Sequence, residues 1–150
     1  MKAYFELPTK FHLIGWIILI IFIPFGIASF FYEWQIDFLQ IRVREEASFL
    51  KPQYENFTNE ILGIGILIGL LMICLARLKE EDEFTRLLRL KSWQRGMTIN
   101  TILMILSFLF FYQEYFFYAA IFHLFSPLLL VYAVFRSSFL SLNRSIAHEK

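Results

Sequence analysis

Four stretches of the chain contain no Asp, Glu, Lys or Arg: residues 11–32, 61–76, 96–113 and 115–135. An α-helix rises about 1.5 Å per residue and a bilayer's hydrocarbon core is about 30 Å thick, so about 20 apolar residues suffice to cross it. The first and fourth stretches meet this requirement. The second is short, but Arg77 can snorkel and lend Leu78 to the span. A charge at the centre of a membrane helix costs roughly 2.5–3.5 kcal/mol, so four charge-free stretches in one short chain are a strong pattern. They predict spans over about 11–32, 60–78, 96–112 and 115–135, an outer loop over 33–59 and a cytoplasmic loop over 79–95. The fold class this predicts is all-α, an integral membrane four-helix transmembrane bundle in a single domain of 150 residues.

Composition agrees with a lipid solvent. Hydrophobic residues make up 58% of the chain, phenylalanine alone occurs 19 times, and the mean hydropathy is +0.57. A soluble domain of this size cannot hide that much apolar surface. The net charge of +1 offers no bulk attraction to nucleic acid, so no direct nucleic-acid partner is expected. The single cysteine, Cys74, excludes an intramolecular disulfide and a Cys-rich metal site, and reads as a small buried hydrophobe. The first apolar run is too long for the core of a cleavable signal.

The placement of charge predicts orientation. Lys2 and Lys10, then Arg77, Lys79, Arg86, Arg89, Lys91 and Arg95, then Arg136, Arg144 and Lys150 all fall on one side of the predicted spans. The other side has Arg42, Arg44 and Lys51. Eleven against three predicts both termini and the middle loop in the cytoplasm. Aromatics gather at the predicted outer ends, at Phe30, Phe31, Tyr32 and Trp34 and again from Tyr112 to Tyr118, as an interfacial belt requires.

Both loops are readable. In the outer loop, Ile36, Phe38, Ile41 and Val43 hint at an extended segment, Asn56-Phe57-Thr58 matches a glycosylation sequon, and Thr58 or Asn59 is expected to cap the second helix. In the cytoplasmic loop, Glu80, Glu81, Asp82 and Glu83 precede Arg86, Arg89, Lys91 and Arg95. Acid first and base later suits a helix running from Asp82 into the third span. The same residues are candidates for docking a soluble partner, Glu80, Glu81, Asp82, Glu83, Arg86 and Arg89 in particular. The plainer alternative is a solvated turn. The acidic run is a poor metal site, because consecutive helical positions point in different directions.

Within the spans, Gly65 and Gly69 form a Gly-x-x-x-Gly pair and are candidates for close helix packing, within one chain or between two. Pro24 and Pro127 predict kinks. Asn100, Ser107, His123 and Ser126 are a candidate intramembrane polar cluster. Such groups bond across helices, and a ligand pocket or proton site is the functional alternative. No Ser-His-Asp set, His-Glu-x-x-His, phosphate loop or Gly-x-Gly-x-x-Gly is present. The expectation is therefore no enzyme, no catalytic residue, no cofactor and no bound metal.

Lys79-Glu80-Glu81-Asp82-Glu83-Phe84, then Leu88-Arg89-Leu90 with Ser92, then Asn100, resemble the signature of an uncharacterised family of small four-span bacterial membrane proteins, frequent in Bacteroidota. Lys10-Phe11, Ile14-Gly15-Trp16, Asp37-Phe38-Leu39, Asn59-Glu60-Ile61 and Arg136 add to the resemblance, which spans most of the chain. It implies the bacterial inner membrane and, through the company such proteins keep, a cytoplasmic regulator as partner. The resulting expectation is a non-enzymatic membrane sensor or regulatory protein. It would lie among membrane lipids, with a homo-oligomer as one expected arrangement, and signal through the 79–95 loop. A small oligomeric transporter or channel is the alternative, and the lack of acidic or basic residues within the spans counts against it.

Overall fold

The computed structural model describes residues 6–32, 34–43, 53–78 and 82–148. Helices dominate. α1 covers Lys10–Tyr32, α2 Thr58–Leu75, α3 Glu83–Phe110 and α4 Glu114–His148. Between α1 and α2 lie a 3₁₀ turn, Asp37–Leu39, and two short strands, β1 (Gln40–Val43) and β2 (Gln53–Asn56). The strands pair antiparallel, with Gln40 opposite Asn56 and Val43 opposite Gln53. The extended character expected near Ile41 and Val43 is thus part of a two-stranded ribbon.

Three helical stretches are long and apolar enough to cross a membrane: Lys10–Tyr32, Thr58–Leu75 and Glu114–Leu142. α3 does not qualify, although a fourth span was expected there. Its first half carries Glu83, Arg86, Arg89, Lys91 and Arg95. The charge-free remainder from Gly96 to Phe110 is about 22 Å long, short of the hydrocarbon thickness of about 30 Å. α3 is instead one continuous helix joining a charged segment to an apolar one.

The helix ends differ from expectation for local reasons. α2 stops at Leu75 instead of reaching 78, because Ala76 turns to an extended conformation and the chain there pairs with the N-terminal segment. Leu7 N–H donates to the Leu75 carbonyl at 3.0 Å, and Arg77 N–H donates to the Leu7 carbonyl at 2.9 Å. At its start, α2 is capped neither by Thr58 nor by Asn59. The Asn56 carboxamide oxygen accepts the Thr58 N–H at 2.9 Å, while the Asn56 amide donates to the Ile36 carbonyl at 3.0 Å. The sequon asparagine, at the end of β2, therefore holds the start of α2 with its amide oxygen and the segment before the 3₁₀ turn with its amide nitrogen. α4 continues past Arg136 to His148.

α1 packs along α2 and α3 along α4, and the two pairs meet chiefly through α2 and α4. Leu19, Leu70 and Ile73 form the core of that junction, with Phe125, Leu128 and Tyr132 of α4 laid against them. Outside these seams the surface is apolar. Leu13, Ile20, Phe31 and Phe110 are each about two-thirds or more exposed (67%, 68%, 71% and 72%). Exposed apolar surface this continuous needs a solvent other than water.

Candidate functional site

The close approaches within each helix pair come from glycine. A Cβ at Gly65 would overlap the Phe22 ring, and one at Gly69 would lie 2.9 Å from Leu19 Cδ2. Sequence reasoning singled out those two glycines and missed their partner, Gly15, where a Cβ would lie 2.8 Å from the Gly69 carbonyl oxygen. It also missed Gly96, which lets α3 touch the α4 backbone: a Cβ there would stand 2.7 Å from Val131 N. One residue of a small-residue pair is invisible in sequence when its partner lies on another helix.

Gly96 sets the spacing for what lies one turn further along α3. There the structure brings together all four residues of the polar set. Asn100 and Ser126 are buried, and Ser107 and His123 are half-buried. Ser126 donates its hydroxyl to Asn100 Oδ1. His123 Nδ1 lies 3.3 Å from Asn100 Oδ1 and 3.3 Å from Ser126 Oγ, and its Nε2 lies 2.9 Å from Ser107 Oγ. The Ser107 hydroxyl also reaches back to the Leu103 carbonyl at 3.0 Å. Both ring nitrogens of His123 are therefore engaged, and the imidazole bridges two turns of α3. Beyond this knot, toward the α3–α4 turn, the helices part and leave a cleft of about 590 Å³.

The opposite end of the molecule carries most of the basic residues. There the Glu6 carboxylate bridges Arg77 at 2.5 Å and Arg86 at 3.3 Å, tying the N-terminal segment to the end of α2 and the start of α3. Asp82 caps α3. Its Oδ1 accepts the Thr85 N–H at 2.8 Å and the Thr85 hydroxyl at 2.6 Å, and these bonds hold its carboxyl below the ordinary aspartate range.

The proposed docking residues are thus divided. Glu80 and Glu81 lie outside the described residues. Glu83 is exposed, Asp82 is committed to its cap, and Arg86 is committed to Glu6. Arg89 is not on that surface. It is buried, with its guanidinium carbon 5.5 Å from the centre of the Phe135 ring. It lines a cavity of about 20 Å³, room for about one water, together with His12 of α1, Cys74 of α2 and Arg136 of α4. Among the described residues no His, Cys, Asp and Glu side chains gather into a group able to hold a metal ion. Compared with known protein families, curated proteins and solved structures, the chain has no significant match.

Proposed function

We propose that this chain is a non-enzymatic, membrane-embedded sensor, in which α3 links a polar site inside the membrane to a charged segment in the cytoplasm. The observation that carries this reading is the continuity of α3. The same unbroken helix, Glu83–Phe110, holds Asn100 and Ser107 in the knot and Glu83 and Arg86 at the basic end. A shift of the knot moves the charged end with it, because a helix transmits displacement as a rigid element. Three spanning-length helices, an apolar exterior and basic residues concentrated at one end support a four-helix bundle in a bacterial inner membrane. In that arrangement both termini are cytoplasmic, and α3 crosses with the help of snorkelling Arg95. The bacterial setting rests on the family resemblance alone.

The surface offered to a partner is the acidic run at 80, 81 and 83, since Asp82 is engaged in its cap. The test is the triple reversal Glu80→Lys, Glu81→Lys and Glu83→Lys, which leaves the cap intact. Like-charge contacts should then abolish crosslinking to a cytoplasmic partner while leaving the membrane level unchanged. A partner crosslink that survives the reversal removes the docking role. If the wild-type chain yields no crosslink in its native cell, the regulatory reading fails, and a flux assay in liposomes becomes the next experiment.

A further inference from the structure

The cavity of about 20 Å³ at the basic end is walled by charges of one sign. α3 contributes Arg89, α4 contributes Arg136 and α1 contributes His12, set among apolar side chains such as Ile73 and Val131. Arg89 is buried, His12 half-buried and Arg136 exposed, so the site runs from a covered guanidinium to an open one. A guanidinium keeps its charge at any physiological pH, so the sign of the site does not depend on the state of His12. The described carboxylates at this end are placed elsewhere. Glu6 bridges Arg77 and Arg86, Asp82 caps α3, and Glu83 is exposed. Two cations on one small cavity repel each other strongly where the dielectric is low. An anionic oxygen seated there replaces that repulsion with charge-assisted hydrogen bonds.

Volume and position select the anion. Room for about one water admits a single oxygen atom, so the body of the ligand must stay outside, at the rim. That rim belongs to the lipid-facing surface. Tyr132, which lines the cavity, meets Trp16 edge-on at 5.9 Å, and Trp16 meets His12 at 6.5 Å. Leu13, Trp16, Ile17 and Ile20 leave α1 exposed over the next two turns. Trp and Tyr favour the level of the headgroups, with apolar surface beyond them against the acyl chains. Basic pockets between helices at a cytoplasmic membrane face suit anionic headgroups.

We propose that this cavity binds the phosphate of an anionic phospholipid, with one phosphate oxygen entering between Arg89 and Arg136 and the acyl chains lying along α1. This goes beyond the sensor reading and rests on it only for placing this end of the bundle at a membrane surface.

The test uses the full chain in bilayers, with Trp34→Phe and Trp93→Phe so that Trp16 is the one tryptophan left of three. Quenching of Trp16 by dibrominated phosphatidylglycerol is compared with quenching by dibrominated phosphatidylcholine, whose choline cation the arginines repel. Each basic residue near an anionic headgroup contributes about fivefold in affinity, so the two arginines predict a preference for phosphatidylglycerol of at least about tenfold. Arg136→Gln should lower that preference about fivefold. Arg136 is exposed, so its replacement leaves the packing of the helices intact. Lys91→Gln removes an exposed charge that does not line the cavity, and should leave the preference unchanged. Inorganic phosphate added at constant ionic strength should not displace the lipid. Equal quenching by the two lipids, or an equal loss from Lys91→Gln and Arg136→Gln, would overturn the proposal alone. Displacement by inorganic phosphate would assign the site to a free anion and overturn the lipid as its occupant. Absence of quenching by either lipid would overturn the proposal together with the membrane reading.

Discussion

Gly15 and Gly69 meet across the α1–α2 seam so closely that a Cβ on Gly15 would lie 2.8 Å from the Gly69 carbonyl oxygen, and a Cβ on Gly69 would lie 3.2 Å from the Gly15 carbonyl oxygen. Part of the obstruction is backbone, which no side-chain rotation relieves, and the side chains of Ile73 and Leu19 crowd the same two positions. Gly15→Leu and Gly69→Leu should each lower stability in detergent by roughly 1–3 kcal/mol or more, the usual scale for overpacking a close seam. Gly63 is the internal control. A Cβ there meets only the tip of the Phe125 ring, at 3.8 Å, so Gly63→Ala should unfold with the wild type. Equal losses at positions 15 and 63 would mean that loss of glycine itself, and not the seam, is responsible.

Glu6 holds two arginines from different parts of the chain, and both arginines remain partly open to water. Screening keeps such pairs weak. Glu6→Gln should therefore cost at most about 1 kcal/mol, and the loss should shrink further as salt rises. The more sensitive readout is hydrogen exchange at Leu7 and Arg77, whose N–H groups pair the N-terminal segment with the end of α2. Exchange there should accelerate in the variant while the centre of α2 stays protected. Unchanged exchange at both amides would show that the backbone pairing stands without the latch.

Asp82 predicts a pH dependence of defined sign. Its carboxyl is held below the ordinary aspartate value by the bonds from Thr85, first the hydroxyl and then the backbone N–H. A group depressed in this way stabilises the fold above its ordinary value, about 3.9, and that contribution disappears as pH falls through the lower folded value. Acidification into that window should fray the first turn of α3, seen as faster exchange at Thr85. Asp82→Asn keeps an acceptor for the cap and should remove the pH dependence, whereas Asp82→Ala should fray the turn at every pH.

How much of this was legible in the sequence depends on the range of each interaction. The apolar runs that became α1, α2 and α4 could be read because exclusion of charge is a local property. The Asp82 start of α3 could be read because the acid-to-base order along a helix is local too. The four polar residues of the knot could be named, since polar groups in an apolar run stand out. Their convergence on His123 could not, because it depends on the register between α3 and α4 that Gly96 permits. Arg89 shows the opposite failure. In sequence it belongs to a charged face with Arg86, yet a single helix carries Arg86 toward Glu6 and turns Arg89 inward onto Phe135. Gly15 and Glu6 were missed for the same reason, as each acquires its role from a residue more than fifty positions away.

The proposed orientation rests on the basic residues and has its own test. Alkaline phosphatase, active only outside, and a fluorescent protein, active only inside, should be fused separately near Ser48 and at Lys150. Phosphatase activity near Ser48 and fluorescence at Lys150 are expected from the eleven-to-three asymmetry. Phosphatase activity at Lys150 together with fluorescence near Ser48 would reverse the topology and place the Glu6 latch outside the cell. An odd number of crossings, with α3 lying along the surface, would put activity of the same kind at both positions.

The knot between α3 and α4 should hold the helix pair together as well as define its cleft. Asn100 is its centre: the carboxamide oxygen accepts from Ser126 and faces His123 Nδ1 at 3.3 Å. Interhelical hydrogen bonds in membranes contribute about 0.6 kcal/mol on average and about 1.7 kcal/mol at most, because polar groups in the separated helices find other partners. Asn100→Leu removes the shared acceptor and strands the Ser126 hydroxyl, which is 2% exposed. The expected loss is about 1–2 kcal/mol, larger than one average bond since two groups lose their partner together. Asn100→Leu with Ser126→Ala removes both partners and should recover part of that loss, because no buried hydroxyl is left unmatched. Thermal unfolding of the single and double variants in one detergent measures the coupling directly. If the double variant is less stable than the single by the full cost of Ser126→Ala alone, the two residues act independently and the knot is only a coincidence of neighbours. Recovery in the double variant would show that Asn100 and Ser126 stabilise the α3–α4 pair as one unit, with His123 held between that unit and Ser107.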